Sequence, residues 1–302
     1  MENKDIKVIN SVTELHRILG LPKPTHPLIT FIDHAEEREV TGLENQKIAL
    51  NFYNITIKKS FQGQLKYGKS FYDFDEGTMS FLSPKQVISV DDRNEQNKEG
   101  WSLLFHPDLI ARYPLSKTIK NFGFFSYGVN EALHLSDKEE GIVETLVQNI
   151  KEEYSSSIDL YSQDVIVSNL ELLLNYCNRF YNRQFITRKM ASTDLLVDFE
   201  NKLSHYFDES KDSKLPTVKS IAEEMNVSVN YLSDMLRTVT GQNTQQHIHS
   251  KLIEKAKEYL TTTSKSISEI AYQLGFEHPQ SFNRLFKNKT DLSPLEYRNS
   301  FN

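Results

Sequence analysis

Ile221-Ala222-Glu223-Glu224-Met225-Asn226-Val227 is answered by Ile270-Ala271-Tyr272-Gln273-Leu274-Gly275-Phe276, one pattern written twice at a spacing of 49 residues. In each copy an apolar-periodic helix pauses at a residue that tolerates the left-handed backbone, Asn226 or Gly275, and a second apolar-periodic helix comes after it. Helix, tight turn and helix make a helix-turn-helix. The first copy predicts helices over Lys219 to Met225 and Asn230 to Val239, with Leu232, Leu236 and Val239 inward and Asn230, Tyr231, Ser233, Asp234 and Arg237 on other faces. The second predicts Ser268 to Leu274 and a helix from Pro279 or Gln280 to Lys287, with Phe282 and Phe286 inward and Gln280, Asn283, Arg284 and Lys287 outward. Pro279 suits a first turn, where its missing N–H would be unbonded anyway.

Upstream of this repeat the pattern changes. Leu195, Leu196, Phe199, Leu203 and Phe207 predict a helix that supports the repeat, and Asp208 to Lys214 reads as a surface loop. Two longer stripes precede it: Ile142, Val143, Leu146, Val147, Ile150 and Tyr154, then Ile166, Leu170, Leu173, Leu174, Cys177, Phe180 and Tyr181. Such helices can close the open side of a barrel or pair with the same helices of another subunit. Before them come short β-branched or aromatic runs: Leu28 to Ile32, Ile48 to Ile57, Gln64 to Phe74, Thr78 to Leu82, Gln86 to Val90 and Trp101 to Pro107. That spacing predicts a small antiparallel barrel or sandwich. Ser11 to Leu19 predicts a short helix with Ser11 as N-cap. The main boundary is placed near Arg183 to Met190.

A chain of 302 residues suggests two domains, and a hydrophobic fraction of 38% with 25% charged residues describes a globular protein. No apolar run reaches the roughly 18 residues of a membrane span, and Met1-Glu2-Asn3-Lys4-Asp5 lacks the order of a secretory signal, so a cytoplasmic protein without membrane contact is expected. The one cysteine, Cys177, lies on an apolar stripe and reads as core. Net charge is −6, and from Thr217 onward 10 Lys and Arg face 9 Asp and Glu. Composition alone therefore does not name a nucleic acid; the pattern carries that reading.

Several stretches imitate other chemistries. Gly63-Gln64-Leu65-Lys66-Tyr67-Gly68-Lys69-Ser70 matches the phosphate-loop pattern at every specified position, yet Phe71 to Gly77 alternates aromatic and acidic residues and does not start the helix that motif needs. It reads as a hairpin turn. His247-Ile248-His249 resembles a metal-binding His-x-His, but on a helix two such positions diverge by about 200°, and two surface histidines are the better reading. His26, His34 and His106 are scattered. No catalytic or metal residues are assigned, and no cofactor is expected.

The stretch from Thr217 resembles the DNA-binding domain of the AraC/XylS family of transcription regulators. The residues that carry this are Ile221-Ala222, Asn230-Tyr231-Leu232-Ser233, Thr240-Gly241, Ala256-x-x-Tyr259-Leu260, Ile267-x-Glu269-Ile270-Ala271, Leu274-Gly275-Phe276, Ser281 to Lys287 and Ser293-Pro294-x-x-Tyr297-Arg298. The resemblance implies an α+β chain. Residues 1–185 would form a cupin-like antiparallel β-barrel with two packed helices, for regulation and dimerisation. Residues 190–302 would form an all-α DNA-binding domain, with helix-turn-helix units at about 217–241 and 266–290 joined by a linker helix from Gln245 to Leu260. It also implies that the two second helices enter major-groove segments about 34 Å apart. Asn230, Ser233, Asp234, Gln280, Asn283 and Arg284 would then approach base edges, and Arg237, Ser281 and Lys287 phosphates. The chain departs from the family pattern at Asp234, where Arg is common, and at Asp291, where Gly is usual. The second unit is thus expected to supply more of the affinity and the first to tune site choice.

The expected partners are double-stranded DNA, a small-molecule effector or protein partner acting through the N-terminal domain, RNA polymerase if the protein activates, and a second copy in a homodimer. The alternative is a cupin-type small-molecule enzyme with a helical appendage, which would need metal ligands not found at ligand spacing. The upstream aromatic residues Phe52, Tyr53, Phe71, Tyr72, Phe74, Phe81, Trp101 and Phe105 read as core, so no effector contact is assigned.

Overall fold

The computed structural model describes residues 6–36, 47–58, 65–67, 70–72, 77–89, 99–128, 131–156, 159–187, 189–208 and 215–301. It combines helix and sheet and divides into two compact units, Met1–Gln184 and Phe185–Asn302.

The first unit begins with β1 (Lys7–Ile9) and α1 (Val12–Ile18), whose N-cap Ser11 accepts from the Glu14 N–H. Next come strands β2 (Ile29–Asp33), β3 (Lys47–Leu50), β4 (Tyr53–Lys58), β5 (Leu65–Tyr67), β6 (Ser70–Tyr72), β7 (Thr78–Leu82), β8 (Val87–Ser89) and β9 (Gly100–Phe105). Short helices α2 (Pro107–Ile110) and α3 (Leu115–Thr118) lead to β10 (Leu133–His134), α4 (Asp137–Ser155) and α5 (Ser162–Thr187). The larger sheet is antiparallel in the order β10-β7-β4-β9-β2, and the smaller has the order β1-β3-β8. Its β1 runs parallel to β3, because the chain between them makes a long crossover through α1 and β2.

The two sheets share a core. Ile32 of β2 and Leu104 of β9 pack with Ile9, Val12, Leu15, Ile48 and Phe52. The opposite face of the larger sheet is aromatic: Phe81 lies 4.5 Å from Phe124 and 6.0 Å from Tyr181 of α5 between ring centroids. Tyr154 of α4 accepts from the N–H of Phe31 at 3.1 Å, which satisfies a backbone donor on an edge strand. Cys177 is fully buried, and burial pushes its thiol pKa up.

Two expectations change here. The outer strands β10 and β2 of the larger sheet are not paired with each other, so among the described residues the sheet is not closed into a barrel. The run Ile48 to Ile57 is two strands rather than one. At Asn51 and Phe52 the chain leaves the smaller sheet for the larger, with the Asn51 N–H bonded to Ile9 O at 2.9 Å and Phe52 fully buried between the sheets. In the phosphate-loop look-alike, Ser70 opens strand β6, and Tyr67 of β5 lies opposite it. A hairpin therefore stands where that motif would need a helix; Gly63, Gly68 and Lys69 lie outside the described residues, as do Glu209 to Lys214.

The second unit continues with α6 (Lys189–Asp208), α7 (Val218–Glu224), α8 (Val229–Thr240), α9 (Thr244–Thr262), α10 (Ile267–Gln273), α11 (Pro279–Thr290) and α12 (Pro294–Asn299). Helix α6 packs on α7, α8 and α9, with Phe199 and Leu203 buried. Leu252, Ile253, Ala256 and Leu260 of α9 form one core with Ile270, Ala271, Leu274, Phe276, Phe282 and Phe286.

Candidate nucleic-acid interface

Each helix pair is held by the same local devices. Helix α7 ends into Asn226 at φ 56°, and α10 into Gly275 at φ 86°, the left-handed turns that let the second helix cross the first. Helix α8 is capped by Ser228, which accepts from the Tyr231 N–H, whereas α11 opens on Pro279 without a side-chain cap. Both second helices then end in a left-handed residue, Gly241 at φ 78° and Asp291 at φ 62°. Thr240 and Thr290 each turn a hydroxyl back to the carbonyls of Leu236 and Phe286, at 2.7 and 2.8 Å.

The register is 49 residues in the first helices but 50 in the second, because one more residue separates Gly275 from the cap at His278 than separates Asn226 from Ser228. At 50, Leu232 matches Phe282 and Leu236 matches Phe286, all buried. The exposed faces then match as Asn230 with Gln280, Asp234 with Arg284, and Arg237 with Lys287. The joint extends further: Asn243 starts α9 as Ser293 starts α12, each in a capping box with the residue three positions on.

The nine residues singled out by sequence do not share one environment. Asn230, Gln280, Ser281, Asn283, Arg284 and Lys287 lie on the second helices, and all six are exposed. Asp234 is half-buried and bonded to Arg237, Oδ1 to Nη1 at 2.9 Å. Ser233 is half-buried too, and its Oγ lies 3.0 Å from Oγ1 of the fully buried Thr244. Tyr231 packs edge-on against Phe185 at 5.2 Å. Val239, expected inward, is 39% exposed; the buried arc of α8 is Leu232, Met235 and Leu236, and Val239 sits one turn beyond it in the last turn of the helix.

Sequence reasoning missed Thr244, whose signal is its place as the first residue of α9 beside a serine of α8. It also missed a difference between helix starts. Helices α7 and α9 close their capping boxes with the neutral Ser220 and Gln246, whereas α10 and α12 use Glu269 and Glu296. The Ser266 N–H holds the Glu269 carboxyl below the usual range, and the Ser293 hydroxyl and N–H do the same for Glu296.

The two histidines of α9 are half-buried rather than on the surface. His247 Nε2 lies 2.8 Å from Thr240 Oγ1 with its ring edge-on to Phe199, and His249 Nε2 lies 2.8 Å from Gln245 Nε2. Burial lowers the pKa of both. Among the described residues no three His, Cys, Asp or Glu side chains gather as a metal-binding group, and no helix is long and apolar enough to cross a membrane.

A family model described as a helix-turn-helix domain matches residues 221–300. Regulatory protein SoxS of Salmonella typhimurium is 34% identical over 96 residues, which is 32% of this chain and 89% of that protein. The HTH-type transcriptional regulator YijO of Escherichia coli (strain K12) is 27% identical over 170 residues, 56% of this chain and 56% of that one, so the match spans about half of YijO. Among solved structures, the C-terminal domain of the two-component response regulator yesN from Fusobacterium nucleatum is 32% identical. That match covers 33% of this chain and 96% of that one with a TM-score of 0.30.

Proposed function

Because the chain belongs to the AraC/XylS family of transcription regulators, we propose that it reads two adjacent major-groove segments of double-stranded DNA, one with each helix-turn-helix unit, under the control of its N-terminal residues. In this reading residues 190–302 form the DNA-binding domain and residues 1–185 a cupin-like regulatory domain. The observation that carries it is the matched pair of outward faces on α8 and α11, with Gln280, Asn283, Arg284 and Lys287 all outside the buried stripe of Phe282 and Phe286 on the second. Arg284 can bond guanine O6 and N7 together, and Gln280 or Asn283 adenine N6 and N7. Lys287 and Ser281 are assigned to phosphates. Asn230 and Asp234 are the base-facing side chains of the first unit, where an aspartate can accept from cytosine N4; Ser233 orients α8 through Thr244, and Arg237 stands where the second unit has Lys287.

Control by a small effector is supported by a polar patch on the face of the larger sheet that also carries Ile32 and Leu104. There Ser102 Oγ lies 2.9 Å from both Thr56 Oγ1 and His34 Nε2 and is 9% exposed. A chain of hydroxyls and an imidazole in a half-buried sheet face offers both donors and acceptors to a polar ligand. The remaining partners in this reading are a second copy of the chain and, for an activator, RNA polymerase; the protein acts in the cytoplasm. The test is a binding titration on the duplex upstream of the protein's own coding sequence against an unrelated duplex. Equal affinity for the two would overturn the proposal.

A further inference from the structure

We propose that Asp234 withholds Arg237 from the DNA backbone, so that the first helix-turn-helix unit contributes sequence choice without a counterion-releasing phosphate contact from α8. The inference rests on the DNA-reading proposal and assigns a new role to one of its residues. In the 50-residue register Asp234 and Arg237 stand where the second unit has Arg284 and Lys287. One outward face therefore presents an internal ion pair with no net charge, and the other two cations.

The pair is short, 2.9 Å between Nη1 and Oδ1, and one helical turn apart, with the arginine side chain 56% exposed and the aspartate 30%. An exposed pair of this kind contributes little in isolation. It would not by itself hold an arginine away from a phosphate. What holds it is the second charge: if Arg237 moves to a phosphate, Asp234 is left beside the same polyanion without that partner, and like-charge repulsion opposes the exchange. Asparagine at position 234 would keep the shape of the side chain, lift the repulsion and release Arg237.

Each phosphate neutralised by a cation adds about 0.9 to the slope of log affinity against log salt. The experiment measures that slope on a random-sequence duplex for the native chain, Asp234→Asn, Arg237→Ala and the double variant, with thermal melts showing that all four fold. The expected result is an unchanged slope for Arg237→Ala and a slope steeper by about 0.9 for Asp234→Asn, so that a fourfold rise in salt costs roughly three- to fourfold more affinity. The double variant should return to the slope of Arg237→Ala. A slope that falls by about 0.9 in Arg237→Ala alone, an unchanged slope in Asp234→Asn, or a steeper slope that persists in the double variant overturns the assignment. Failure of the native chain to prefer its upstream duplex would instead sink the DNA-reading proposal, since the slopes on random DNA do not depend on it.

Discussion

Ser233 Oγ on α8 lies 3.0 Å from Thr244 Oγ1 on α9, and Thr244 is fully buried. The corresponding residues of the second unit are Asn283 and Pro294, and a proline side chain can neither donate nor accept. Asn283 is accordingly exposed. The same position thus fixes a helix to its neighbour in one unit and is available to a ligand in the other.

Ser233→Ala should lower stability by about 0.5–1.5 kcal/mol in a denaturant titration, since it removes one neutral hydrogen bond and leaves the Thr244 hydroxyl with one partner fewer. It should relax no base position. Asn283→Ala should do the reverse, with little change in stability and a loss of about 1–3 kcal/mol at one base pair. A base preference that disappears in Ser233→Ala would return that residue to the groove.

Arg284→Ala should cost about 1–3 kcal/mol on the specific duplex and relax one guanine position. A scan of single base substitutions across the site locates the effect. Should Arg284→Ala bind as the native chain does while Asn230→Ala loses affinity, the first unit and not the second carries the contact energy.

Gly241 sits at φ 78°, and a Cβ built there meets nothing within 4 Å. Gly241→Ala should still destabilise the first helix-turn-helix unit by about 1–2 kcal/mol, because the whole cost is conformational. Gly141, in the exposed second turn of α4, also has nothing within 4 Å of a Cβ and no left-handed backbone. Gly141→Ala should therefore stabilise by about 1 kcal/mol. Thermal melts of the two variants should move in opposite directions; a shared direction would show that space rather than backbone angle decides.

His247 and His249 have pKa values below their ordinary 6.5, chiefly from burial. The unfolded chain therefore takes up protons first as pH falls below about 6.5, so their contribution to stability is intact above that pH and is lost as pH falls from there toward their folded values. His247→Gln should flatten the decline that begins as pH falls below about 6.5. Parallel stability curves for native and variant would refute this.

Phe286→Ala should cost about 3–5 kcal/mol, since its ring is wholly buried in the core around α9. Val239→Ala should stay within about 0.5 kcal/mol, as expected for an exposed site. A large effect at Val239 would restore it to the core.

Local chemistry made the second unit readable in advance. Asn226 and Gly275 announce left-handed turns, Pro279 a first turn, and Phe282 and Phe286 a buried stripe. The features with no local signature depend on contacts across elements. Met235 replaces Val239 because the neighbouring helices, not the period, decide where burial stops. Ser233 turns to Thr244 because of where α9 begins. The switch of sheets at Asn51 is hidden in a run that alternates well enough for one strand, and the parallel pairing of β1 requires a crossover that no local pattern displays.

Helices α9 and α12 start alike, from Asn243 and Ser293, yet they have 19 and 6 residues. The extra residues make α9 a rod of about 28 Å, and everything C-terminal to it takes its phase from that length. One residue inserted in its exposed middle would advance α10 to α12 by about 1.5 Å and rotate them by about 100°. An insertion of about four would restore most of the phase at a cost of about 6 Å of reach. A change of one residue in the length of such a rod therefore displaces α10 to α12 far more than a change of side chain on its exposed face.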